Sequence, residues 1–346
     1  MAGSLTEVTE LATALGMLDR PLERAMRGRR PSELRFVSDN VWRALRSAWD
    51  DERYGDSFRT AFANGRAFGR ADDGLRGRPP RLVEWRGPHR PPGDDTIPAD
   101  LRIDHVYLVS CKYLSKVLLN PGPSRLFERL LQGEGRSAEN WFAVTAPDAF
   151  QELYDVAVEC SGVAGLPSLV GALDRPQQLQ LKAALAARTM PEPLRQPWAA
   201  LCRQVADGSA ARWAAALVQP RDQLRLLWKM LRITSATYFV LGADRGSHLR
   251  LRVVSAWDWM QTYELRSFSV APRAAGQPEV GWLAVVRPRS GAPDLHVAGH
   301  VEIRWSHGRF VGVPESKVYL DTPYSEVPGY EPLVEPAAQL QFPVDP

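Results

Sequence analysis

The segment that most limits how this chain can fold is VYLVSCKY, residues 106–113. Val106, Tyr107, Leu108 and Val109 have the composition of a buried strand. Ser110, Cys111 and Lys112 follow with no turn residue, so the strand ends on a lysine. A lysine there costs free energy unless it is paired or needed for its charge. Either Lys112 emerges at the sheet edge, or an anion comes to it. A carboxylate, Asp100, lies ten residues before Ser110. In one continuous strand Asp100 and Lys112 would stand roughly 40 Å apart. A tight turn at Arg102–His105, with Asp104 suited to the turn, makes a hairpin instead. Asp100 then falls opposite Ser110–Lys112. Asp95, on a slightly longer hairpin, is the rival carboxylate.

The rest of the chain divides by pattern. Leu5, Val8, Leu11, Leu15 and Leu18 recur at helical spacing, and Val41, Leu45, Ala48 and Trp49 form a second stripe. Asp56-Ser57 could cap a third helix carrying Phe58, Ala61 and Phe62. Residues 69–98 hold six prolines and six arginines. They read as loop, interrupted by a short strand at Arg81–Trp85. That stretch is either a surface insertion or a basic arm beside a site. Residues 124–232 are helical, with breaks at Gly162–Pro167, Pro191–Pro197 and Gln219-Pro220. Residues 236–320 switch to strands: ATYFVLGA, HLRLRVVS, VGWLAVV, HVEIRW and KVYL. From Thr322 onward a proline-rich tail is expected to lie across the surface. The pattern predicts an α+β chain in three blocks. They are 1–145, 146–235 (helical) and 236–346 (β-rich with the tail).

Downstream of Lys112, Asn120-Pro121-Gly122-Pro123 makes a turn, and Ser124 can cap a helix carrying Leu126, Phe127, Leu130 and Leu131. Glu128 sits early in that helix, where its charge suits the macrodipole. An aspartate on one hairpin strand, Ser-x-Lys on the next and an acid on the following helix resemble the PD-(D/E)xK nuclease superfamily. The matching pieces are Pro98-Ala99-Asp100 and Ser110-Cys111-Lys112. Ser110 stands where the family usually has an acid. One subgroup of restriction endonucleases also carries SxK, with its second acid moved to the following helix, where Glu128 stands. The match covers about 30 residues of 346. The resemblance implies a restriction-endonuclease-like αβ core and a DNA endonuclease of bacterial restriction or antiviral defence. It also implies Mg²⁺ held by Asp100 and Glu128, with Ser110 and Lys112 completing the catalytic set. The chemistry needs these types. Carboxylates hold Mg²⁺, and a lysine can orient the attacking water and offset the developing anion.

Net charge is only +3, from 43 Lys and Arg against 40 Asp and Glu, so charge alone argues little for nucleic acid. Local arginines say more. Arg86, Arg90, Lys116 and Arg304 are candidate phosphate or base contacts. So are Arg221, Arg225 and Lys229, on one face of RDQLRLLWKMLR opposite Leu224, Leu227, Trp228 and Leu231. Trp85-Arg86, Arg212-Trp213 and Arg304-Trp305 either stack on bases or pack at a core margin. Glu84 could add a third carboxylate. His296 and His300, roughly 13 Å apart on a strand, are too distant for one zinc ion. Cys111 with His105 could suggest a cysteine nucleophile, though a buried strand cysteine is commonly inert. The three cysteines form no CxxC pair. No GxxxxGK[ST] or GxSxG motif occurs. With no leader pattern and no apolar run of about 20 residues, the expectation is a cytoplasmic protein off the membrane. DNA, a homodimer partner or subunits of a defence complex are its expected partners. The rival is a non-enzymatic nucleic-acid-binding or scaffold subunit.

Overall fold

In the computed structural model of the chain, the expected hairpin is present, with strands at Leu101–Ile103 and Tyr107–Lys112. Residues 4–334 are described, apart from 53, 88–98, 114–116, 130–138, 187–188, 245 and 275. The strands in chain order are β1 (Leu34–Arg35), β2 (Val83–Trp85), β3 (Leu101–Ile103), β4 (Tyr107–Lys112), β5 (Val117–Leu119), β6 (Tyr238–Asp244), β7 (Ser247–Val253), β8 (Tyr263–Ala274), β9 (Pro278–Pro288), β10 (Leu295–Arg304), β11 (Glu315–Leu320) and β12 (Tyr330–Pro332). The helices are α1 (Leu5–Met17), α2 (Leu22–Arg27), α3 (Asp39–Asp50), α4 (Gly55–Arg70), α5 (Trp141–Thr145), α6 (Pro147–Ser161), α7 (Arg175–Ala184), α8 (Glu192–Ala216), α9 (Pro220–Met230) and α10 (Ala256–Thr262).

The mixed α+β chain forms two units that do not follow the three consecutive blocks. The first combines residues 1–116, 232–262 and 323–346; the second combines 117–231 and 263–322. The reason lies in strand pairing. β6 pairs parallel with β4, Ser110 opposite Val240, and so brings a distant stretch of sequence into the hairpin's sheet. β12 pairs antiparallel with β7, which makes the expected surface tail an edge strand with Tyr330 buried. The first unit's sheet therefore runs β1-β2-β3-β4-β6-β7-β12.

One face of that sheet carries Val83, Trp85, Leu101, Ile103, Val109, Phe239 and Leu241, which share a core with helices α1 to α4. α1 starts at a capping box between Ser4 and Glu7. The expected cap at Asp56-Ser57 is displaced. α4 starts earlier, behind Tyr54, and Asp56 lies in its first turn, paired with Arg59. Helices α1 and α4 cross at glycines. A Cβ on Gly65 would lie 2.0 Å from the Thr13 carbonyl oxygen, and one on Gly16 2.1 Å from that of Phe62. Only glycine permits so close an approach.

The second unit holds an antiparallel sheet, β5-β11-β10-β9-β8, with α8 over β8 and β9. Its core is aromatic: Phe127 stacks on Trp141 and meets Trp213 edge-on, and Phe268 stacks on Trp282. α8 begins at Glu192 and runs through Pro197, so of the expected break at Pro191–Pro197 only Pro191 lies outside the helix. Of the expected α9 stripe, Leu227 and Leu231 are buried while Leu224 and Trp228 are half-buried, and Leu226 and Met230 are buried beside them. Ser124 does not cap its helix. The turn starts earlier, with the Leu126 N–H bonded to the Gly122 carbonyl, and runs as a π-helix over Arg125–Arg129. The chain between β10 and β11 is longer than a tight turn at His307-Gly308.

Candidate functional site

The hairpin register is Leu101 opposite Val109 and Ile103 opposite Tyr107, which sets Asp100 beside Ser110. The turn holds Asp104 and His105 at positive φ, 49° and 60°. Asp104 stabilises it by accepting the Arg81 and Leu82 N–H groups at 2.8 and 2.9 Å. Asp100 Oδ2 accepts the Cys111 N–H at 2.7 Å and the Ser110 hydroxyl at 3.3 Å. This carboxylate is thus fixed against the Ser-x-Lys strand by a backbone and a side-chain donor. Asp100 also closes the sheet backbone: its carbonyl accepts the Arg86 N–H and its own N–H reaches the Val109 carbonyl. Lys112 ends β4 opposite Gly242 of β6, where a Cβ would lie 2.0 Å from the Lys112 carbonyl oxygen.

Two buried acids, Glu10 and Glu84, belong to the same unit. Glu10, buried in α1, accepts the Trp85 indole N–H at 2.6 Å. The Cys111 thiol is pushed well above its ordinary range, first by burial and then by the charges of Asp100 and Glu10. Both effects disfavour the thiolate, the form a cysteine nucleophile needs. His105 lies in the turn and faces Glu84, not Cys111. Beyond Cys111, the Tyr113 hydroxyl bonds Thr13 at 2.8 Å. Asn64 joins Tyr113, the Gly242 carbonyl and Arg250. This buried network ties β4 and β6 to α1 and α4.

Glu84, the candidate third carboxylate, is engaged by an arginine. Arg102 binds it through both carboxylate oxygens, and this bond holds the Glu84 carboxyl below its ordinary value of 4.5 against the opposing effect of burial. A depressed folded pKa adds stability that is present above the unfolded value and is lost as pH falls through the folded one. Wild type should therefore be more stable than Glu84→Gln above about pH 4.5, with the gap closing on acidification. Urea midpoints taken pH by pH test this. A gap that persists unchanged into acid would show that the pair contributes no pH-dependent stability.

Glu128 belongs to the second unit, where its carboxylate accepts from Arg212 at 2.6 Å. The Arg212 guanidinium also lies 5.6 Å from the Trp141 ring centroid. Arg86 is buried, so it is not a surface phosphate contact. Arg221, Arg225 and Lys229 are exposed on α9, with Arg225 3.8 Å from Asp222. Burial and the charges of Arg125 and Arg225 lower the Lys229 pKa. Arg304 pairs with Glu302 at 3.3 Å. Arg90, Lys116, Asp95 and Pro98 lie outside the described residues. Among the described residues no three His, Cys, Asp or Glu side chains converge on one point, and no helix is long and apolar enough to cross a membrane.

Compared with family models, known proteins and solved structures, the chain matches none. Its chemistry has to be read from its own residues, two groups of which escape pattern reading. Glu10 falls off the apolar stripe of α1. The usable signal is that it is the only charged residue between Val8 and Met17, a segment otherwise apolar or small. A helical stretch buried all round singles out its one charge. The second group is an open cleft of about 650 Å³ in the first unit. Arg27, Arg29, Arg30, Arg43 and Arg46 line it against a single acid, Asp39. The run RGRRPSELR carried that signal as a local basic block.

Proposed function

We propose that the chain is a Mg²⁺-dependent DNA endonuclease with a restriction-endonuclease-like core, serving bacterial restriction or antiviral defence in the cytoplasm. The observation that carries this reading is the Asp100 carboxylate, bonded to the Cys111 N–H at 2.7 Å and held beside Ser110 on the strand that ends at Lys112. Mg²⁺ takes oxygen ligands and is commonly held by one or two carboxylates together with substrate phosphate. Asp100, held on the hairpin, is the carboxylate that would hold the ion, with Glu10, bonded to the Trp85 indole on the strand paired with Leu101, as its partner. Bound there, the ion supplies Lewis-acid stabilisation of charge on the phosphate. Ser110 orients the Asp100 carboxylate. Lys112 positions the attacking water and offsets the anion that develops. The arginine cleft supports a polyanionic substrate, since clustered guanidinium groups bind phosphates.

The test is Mg²⁺-dependent cleavage of plasmid DNA by the purified chain and by Asp100→Asn. Wild type should cut, and EDTA should stop it. Asp100→Asn keeps an acceptor for Cys111 but loses the charge, so it should fold and not cut. Cleavage by Asp100→Asn at the wild-type rate would remove Asp100 from the mechanism.

A second reading is favoured by the pairing of Glu84 with Arg102 and of Glu128 with Arg212. Each acid is paired with an arginine of its own unit. On this reading the chain binds nucleic acid without cutting it, as a scaffold that assembles with itself or with subunits of a defence complex. Binding with no cleavage under any divalent ion would decide for it.

A further inference from the structure

The second unit contains a cleft of about 690 Å³ that no step of the proposed cleavage uses. Its walls bring together Lys182 of α7, Trp198 of α8, Arg304 and Trp305 at the end of β10, Arg309 of the following loop and Lys317 of β11. Four cations thus line one concavity. Glu302 pairs with Arg304 and stands opposite Lys317, and Glu315 accepts from Ser306, so the surplus is about two positive charges. The two lysines carry no ion pair among the described residues. Lys182 lies along Gly308, where a Cβ would sit 2.8 Å from its Cε; Gly308 has φ +104°. Arg309 is anchored to the Leu185 carbonyl at 3.1 Å.

The cations surround an aromatic platform. Trp198 and Trp305 stack with centroids 5.7 Å apart and planes at 23°. Trp305 is buttressed edge-on by Phe142 at 4.9 Å, and the Trp198 indole N–H donates to the Gly276 carbonyl at 2.9 Å. Both rings are therefore fixed in orientation, and a half-buried Trp198 gives only one face to its partner. A purely structural stack would not need two lysines without an ion pair beside it, because the surplus positive charge they leave in the cleft is unfavourable unless an anion joins it. Fixed indoles with lysines at the rim are the elements that bind a base through its π-face and its phosphates through charge.

We propose that this cleft binds a nucleotide, its base stacked on Trp198 and its phosphate at Lys182 and Lys317. The nucleotide can be free or part of a single strand, and the assay separates the two. The proposal does not depend on cleavage, so binding is measured without Mg²⁺. Titration calorimetry with ATP reads the free nucleotide, and anisotropy of a labelled oligothymidylate reads the strand. Wild type should bind at least one. Trp198→Ala should weaken that binding roughly 5- to 150-fold, the range of one base–aromatic stack. Lys182→Ala with Lys317→Ala should weaken it too and reduce the salt slope by about 0.7 for each single-strand phosphate no longer neutralised. ATP binding alone would mark a nucleotide sensor, and oligothymidylate binding alone a strand-end site; either supports the proposal. Wild-type binding of neither ligand overturns it. So does unchanged affinity in the lysine pair, whose side chains lie outside the hydrophobic core and can be truncated without disturbing it.

Discussion

Gly65→Ala should destabilise the protein by about 3 kcal/mol or more, the upper end of overpacking costs. Gly69→Ala, one turn on, should be neutral or stabilising by up to about 1 kcal/mol from helix propensity. The contrast arises from what each new methyl meets. On Gly65 it would lie 2.0 Å from the Thr13 carbonyl oxygen and 3.1 Å from the Gly16 Cα, both backbone atoms that cannot rotate away. On Gly69 the nearest atom is 3.8 Å off, an ordinary van der Waals distance. Relief at Gly65 requires α1 and α4 to move apart, which strains the core containing Leu11, Leu15 and Phe68. It also pulls Thr13 from Tyr113 and Asn64 from the Gly242 carbonyl. Urea midpoints of the two variants decide the matter. Equal stability of Gly65→Ala and Gly69→Ala would mean that the crossing is looser than 2.0 Å implies.

The hairpin was legible in the sequence because it depends on neighbours: a strand pattern, a turn with Asp104, and an acid at the matching register. The run HLRLRVVS likewise identified β7 directly. Its place in the sheet was not legible. β6 pairs with β4 from more than 120 residues away, Ser110 opposite Val240, and no local pattern records that distance. The division into consecutive blocks failed for this reason. The proline-rich end misled differently: Pro332 sits on an edge strand, where a missing N–H costs nothing in the ladder. At the site, Asp100 and Ser110 could be paired because both lie in one hairpin. Glu10 could not, since its position beside Trp85 is set by how α1 packs on the sheet.

Glu10→Gln should reduce Mg²⁺-dependent cleavage by about a hundredfold or more, comparable to losing a group that stabilises transition-state charge. The amide keeps an acceptor for the Trp85 N–H, so the fold should be retained. Lys112→Ala should cost about as much, because it removes the cation that meets the developing anion. Glu128→Gln should leave cleavage nearly unchanged, since Gln can still accept from Arg212 and its charge serves that pair. The family resemblance makes the opposite claim for Glu128, so three single variants and one cleavage assay discriminate. If Glu128→Gln is dead and Glu10→Gln active, the second acid is the one on the helix after the strand. In that case Ser110→Glu with Glu128→Ser should restore part of the activity by returning a carboxylate to β4. If Lys112→Ala cuts normally, Lys112 ends β4 for structural reasons, and the site has lost its third element.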